Sequence, residues 1–143
     1  LVEEKPIPPS PAFETVLPDF RGDIFQTENA FCSVRREGSS GYEVVSTGPH
    51  KPFLAHVYRF ELETPREDGH VAFTVAGTKG LIVRTLVDDF GAALGCGATL
   101  TKLRRTAVGR FSVADAVPFE RLLETPMGDF AGYVKPLSEA LAR

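Results

Sequence analysis

Tryptophan is absent from these 143 residues and methionine occurs once. Cys32 and Cys96 lie far apart, with no CxxC pair and no neighbouring histidine. That excludes a disulfide scaffold or a zinc ribbon and leaves two free, partly buried thiols in a reducing compartment as the expectation. No apolar run approaches 18 residues, so no membrane helix is expected, and no signal-peptide pattern opens the chain. His50, His56 and His70 lack metal-ligand spacing, so no metal site is expected. Gly77-Thr78-Lys79-Gly80 does not have the spacing of a phosphate-cradling loop, and no serine sits in a nucleophile elbow. Asp88 and Asp89 are adjacent, but neighbouring helical positions point about 100° apart and do not share a proton.

What remains is an ordinary globular composition, 43% hydrophobic and 24% charged, long enough for one domain with a real core. Three segments are expected. Residues 1–19 hold Pro6, Pro8, Pro9, Pro11 and Pro18 and read as an extended linker or a surface-hugging arm. Residues 20–124 read as the folded body. Residues 125–143 read as a tail that docks on it through a helical turn or two between Tyr133 and Leu141.

Within the body, Phe53–Leu62 is rich in aromatic and branched residues and predicts a strand. His70–Ala76 places Val71, Phe73 and Val75 on one face and predicts a second. Pro65, Asp68 and Gly69 lie between them, so an antiparallel hairpin follows. Val83, Leu86, Val87, Phe90 and Leu94 then form an apolar helical stripe, with Gly80 before it and Gly95 at its C-terminal end. Ser112 with Asp115 reads as the capped start of a short helix. Strands followed by helices, without a βαβ rhythm, give an α+β class.

Net charge is −3, so a polyanion partner must be argued from local charge. Between Gly77 and Phe111 stand Lys79, Arg84, Lys102, Arg104, Arg105 and Arg110 against Asp88 and Asp89, a local +4. Such a strip suits an RNA or other polyanion face, and it equally suits an ordinary solvated surface. Arg84 and Asp88 are also spaced as a helical surface pair worth a few tenths of a kcal/mol, roughly.

Several blocks, in order, resemble the TruB family of pseudouridine synthases. Phe20-Arg21-Gly22-Asp23-Ile24-Phe25-Gln26 is similar to that family's FxGxIxQ block. Ala30-Phe31-Cys32-Ser33-Val34-Arg35 with Gly38 is similar to its A-(Y/F)-S-A-(L/V)-K-x-x-G segment. Lys79 to Arg84, Asp89-Phe90-Gly91, Leu94 to Ala98, Leu103 to Thr106, Val108 to Phe111 and Tyr133 to Leu141 continue the match. The resemblance spans about Phe20 to Leu141.

The resemblance implies a mixed, mostly antiparallel sheet with flanking helices and a cofactor-free isomerisation of uridine in structured RNA, tRNA or rRNA. Arg84 matches an arginine that pairs with the family's catalytic aspartate, and Leu103 matches an apolar residue lining the uracil pocket. Arg35, Lys79, Lys102, Arg104, Arg105 and Arg110 are then expected as RNA contacts, in an intracellular setting, cytoplasm or mitochondrial matrix. The family's G-x-L-D-P-x-A-T-G segment, which carries the aspartate, does not occur in these residues. Leu81-Ile82 stand where the family has Thr-Tyr, and Glu28-Asn29 where it has Pro-Pro. The small RNA-binding domain that often follows in that family is not expected within these residues. Two readings follow: the second half of a synthase whose catalytic domain is completed by a further segment or another chain, or a non-catalytic RNA-binding or ribonucleoprotein-assembly factor using the same fold.

Overall fold

Pro9 and Pro11 bracket the start of the first helix, α1 (Ser10–Val16), where a missing N–H costs nothing because the first-turn amides have no helical partner. The computed structural model describes residues 5–27, 32–35, 42–45 and 51–138, and only the backbone of 10, 11, 32–35 and 42–45. A 3-10 turn at Leu17–Phe20 continues α1. Phe13 and Leu17, one helical turn apart, are both buried. The arm expected to be extended is therefore helical from Ser10, because its apolar spacing outweighs its prolines.

Strands β1 (Gly22–Gln26), β4 (Phe53–Leu62) and β5 (Phe73–Gly77) form an antiparallel sheet with β4 in the middle. Gly22 pairs with Val57 and Gln26 with Phe53; Leu62 pairs with Phe73. Ala55, Val57 and Phe60 of β4 are buried, while Tyr58 and Arg59 are both exposed. The register shift between Val57 and Arg59 explains that slip in the alternation. Past the end of β1 the Phe60 carbonyl accepts hydrogen bonds from Arg21 Nε (3.0 Å) and Nη2 (2.7 Å), which fastens the 3-10 turn to β4. β2 (Cys32–Arg35) and β3 (Tyr42–Val45) make a separate antiparallel pair. The Pro65–Gly69 turn closes as expected, with the Arg66 N–H donating to the His70 carbonyl.

Helix α2 (Val83–Ala93) lays Leu86 and Phe90 into the core beside Phe13, Leu17, Val57 and Phe60. Phe90 is its hub. Phe20 and Phe60 meet that ring edge-on at 5.3 Å and Phe13 at 6.2 Å between centroids. Gly95, at φ +77°, ends the helix as the spacing predicted.

The chain divides into two compact units, residues 1–101 and 102–143, a different boundary from the 20–124 body expected. The second unit is built of short pieces: β6 (Ala107–Val108), β7 (Phe111–Ser112), α3 (Phe119–Glu124) and 3-10 turns at Val113–Asp115 and Met127–Tyr133. Ser112 Oγ does accept from the Ala114 N–H, but what it caps is a single 3-10 turn; the helix begins only at Phe119. The tail helix expected up to Leu141 runs partly outside the described residues. No helix among the described residues is long and apolar enough to cross a membrane. The helices and antiparallel sheets make the chain α+β.

Candidate active site

The approach to α2 is set by β4 and β5. Beyond the end of β5 the Thr78 N–H donates to the His56 carbonyl (2.9 Å), and Thr78 Oγ1 accepts from the His56 N–H (3.0 Å). The chain turns at Gly80, φ +98°, a conformation glycine adopts at little cost. Ile82 then sits extended at the N-cap, where its side chain offers nothing to the helix amides.

Gln26, 1% exposed on β1, holds the Ile82 backbone from the sheet instead. Its Oε1 accepts from the Ile82 N–H at 2.9 Å and its Nε2 donates to the Ile82 carbonyl at 3.1 Å. The same carbonyl accepts the Leu86 N–H at 3.0 Å. Gln26 had been legible only as part of a motif. The physical signal for it is a polar residue at an inward position of a period-two strand, two residues after Ile24.

Arg84 follows on the first turn of α2 and is exposed. No carboxylate among the described residues lies within ion-pair distance, so the surface pair with Asp88 is not formed. A cation in this turn opposes the helix dipole by about 0.3–1 kcal/mol, and the turn carries no acidic residue to offset it. Next to it Thr85 is buried, 4% exposed, and its Oγ1 has no hydrogen-bond partner among the described residues.

A cleft of about 350 Å³ lies in the same unit, lined by Asp19, Phe20, Asp23, Ile24, Phe25, Leu86 and Asp89. Partial burial, then the neighbouring Asp88, holds the Asp89 carboxyl above the usual carboxylate range. Asp23 meets His56 Nδ1 at 2.6 Å, and the His56 ring lies 4.8 Å from Tyr58. Three carboxylates make this cleft a poor seat for phosphate. No group of three or more His, Cys, Asp or Glu among the described residues is placed to hold a metal ion.

The expected RNA contacts fall in both units. Lys79 is exposed in the turn before α2. Lys102, Arg104, Arg105 and Arg110 are exposed in the second unit, the first three in an irregular stretch leading to β6. Leu103 is 61% exposed. Arg35 lies on β2, with its side chain outside the described residues. Phe111 has two cations over its ring, Arg110 Cζ at 5.6 Å from the centroid and Lys135 Nζ at 6.0 Å. They line an open cleft of about 430 Å³ with Ser112, Asp115 and Ala116. Lys135 was not singled out from sequence, because it lies 25 residues past Arg110, in no basic run.

Comparison with known proteins gives this arrangement a family. Residues 84–142 match a family model described as the tRNA pseudouridylate synthase B C-terminal domain. The chain is 38% identical over 133 residues to tRNA pseudouridine synthase B of Azoarcus sp. (strain BH72), covering 92% of the chain and 44% of that protein. It is 36% identical over 126 residues to the protein of that name from Stutzerimonas stutzeri (strain A1501), 85% of the chain and 41% of the relative. With the Haemophilus influenzae (strain 86-028NP) protein it shares 37% over 119 residues, 79% and 38% respectively. The chain thus spans less than half the length of these relatives. On these matches the chain corresponds to the C-terminal region of the TruB family.

Proposed function

We propose that the protein acts as a TruB-type pseudouridine synthase on a uridine of structured tRNA. The observation that carries this reading is Arg84: an exposed guanidinium that forms no ion pair among the described residues, on a helix turn it does not stabilise, at the position matching the family's aspartate-binding arginine. The relatives' names, all tRNA pseudouridine synthase B, favour tRNA over rRNA and favour a synthase over a non-catalytic assembly factor. Those relatives are bacterial proteins, and the cytoplasm is the setting that accords with them.

In this reading the target nucleotide leaves the RNA stack, since an enzyme cannot otherwise reach the base. An aspartate is presented to Arg84 from a segment or chain beyond these residues. The guanidinium keeps that carboxylate ionised and fixes its direction by paired N–H donors. The carboxylate then acts on the nucleoside, the C1′–N1 glycosidic bond breaks, the base turns and C5 bonds to C1′; C5 gives up its proton and N1 takes one up, so the product is an isomer. Leu103 packs against the uracil. Arg35, Lys79, Lys102, Arg104, Arg105 and Arg110 contact phosphates, giving binding that follows RNA shape and weakens with salt.

The test is Arg84→Ala in the intact protein. Pseudouridine formation in tRNA should be abolished with tRNA affinity nearly unchanged. Turnover at the unsubstituted rate would overturn the reading.

A further inference from the structure

We propose that Gln26 is a positioning residue for Arg84: it holds the first turn of α2 in register through paired hydrogen bonds to Ile82. This rests on the reading of Arg84 given above and goes beyond it to the group that aims the guanidinium.

The local sequence starts α2 badly. Ile82 has no capping oxygen, the first turn has no acid, and Arg84 faces the positive end of the helix dipole. A turn with those properties frays unless something outside it fixes the backbone. The Gln26 amide is a copy of a peptide group, one acceptor and one donor in a plane, and it meets both polar groups of Ile82 at 2.9 and 3.1 Å. Gln26 is itself fixed, because its backbone pairs with Phe53 in the sheet and its side chain is buried. The sheet is thereby connected to the helix start two residues before Arg84. Neither bond alone does this. A lone acceptor would leave the Ile82 residue free to pivot, and a lone donor would leave its N–H buried and unpaired.

Glutamate at this position separates the two bonds by pH. Ionised, it accepts from the Ile82 N–H but turns lone pairs toward the Ile82 carbonyl; protonated, it restores the donor. In the intact protein, Gln26→Glu should lower kcat on the order of 10²-fold at alkaline pH, the size expected for a misplacement near 1 Å. The ratio to the unsubstituted enzyme should shrink as pH falls, with KM for tRNA little changed. Gln26→Leu should show a defect that no pH relieves. Wild-type kcat in both variants while Arg84→Ala is inactive would overturn the positioning role and leave the function intact. Full activity in Arg84→Ala would overturn both, the function first. Where neither Gln26 variant folds, amide exchange in the unsubstituted protein decides: an Ile82 N–H as protected as that of Leu86 sustains the inference, and exchange at open-loop rates ends it.

Discussion

Gly91→Ala should destabilise the protein, although it replaces a poor helix former with the best one. Gly91 is buried within α2 and faces the 97–98 backbone. A methyl group there would lie 2.2 Å from the Ala98 nitrogen and 2.5 Å from both Ala98 Cβ and the Gly97 carbonyl carbon. Since comfortable contacts between heavy atoms fall near 3.5–4.0 Å, the loop would have to retreat by about 1 Å or more. Retreat stretches the bond from the Gly97 N–H to the Gly91 carbonyl, now 2.9 Å, which contributes about 1 kcal/mol. Overpacking against backbone adds about 1–3 kcal/mol, and the propensity gain of alanine returns about 1 kcal/mol. The net expectation is a loss of about 1–3 kcal/mol, read as a lower urea midpoint at an unchanged slope. Ala92→Gly, at the exposed neighbour, isolates the propensity effect and should cost about 1 kcal/mol with no steric part. A higher midpoint for Gly91→Ala, mirroring Ala92→Gly, would show that the 97–98 loop does not press on the helix and would refute the reasoning.

Two further outcomes are expected, one from the buried hydroxyl of α2 and one from the proposed function. Thr85→Val keeps the side-chain shape and removes a buried hydroxyl without a partner, so thermal or urea unfolding should show a gain of about 1 kcal/mol; a loss of that size would mean the hydroxyl is hydrogen-bonded in the protein. Replacing Arg104 and Arg105 together by alanine should weaken tRNA binding and lower the slope of log affinity against log salt by about 2. Binding equal to that of the unsubstituted protein across a salt series would remove this stretch from the proposed RNA contacts.

Much of the first unit was legible in the sequence because its signals are long. A ten-residue run rich in aromatic and branched side chains gave β4 its bounds at Phe53 and Leu62, and five apolar positions at helical spacing gave α2. The α1 segment was obscured by composition. Five prolines outvoted the Phe13–Leu17 spacing, although two of them sit where a helix start tolerates proline. The second unit defeated periodicity because β6 and β7 have two residues each, too few to alternate. The acidic cleft was not legible at all. Asp19, Asp23 and Asp89 come from a 3-10 turn, a strand and a helix, and only the packing of α2 on the sheet brings them to one place. Arg84 stood out by family resemblance alone, since charge and spacing favoured a pair with Asp88 that the side chains do not make.

The same helix shows where local preference and tertiary structure part company. At its C-terminal end every rule agrees: Gly95 takes a left-handed turn, its N–H donates to the Ala92 carbonyl, and the apolar stripe is complete. At its N-terminal end the cap, the dipole and a buried hydroxyl all oppose the observed structure. Leu86 and Phe90 hold the middle of the helix by burial, but burial there cannot dictate the direction of a side chain on the exposed face one turn earlier. That direction depends on the backbone at Ile82, and the polar contact that reaches Ile82 from the sheet is Gln26. On the proposed reading, a helix start that local rules disfavour and a distant strand fixes lies where the direction of Arg84 matters, the kind of place where functional sites commonly give up stability.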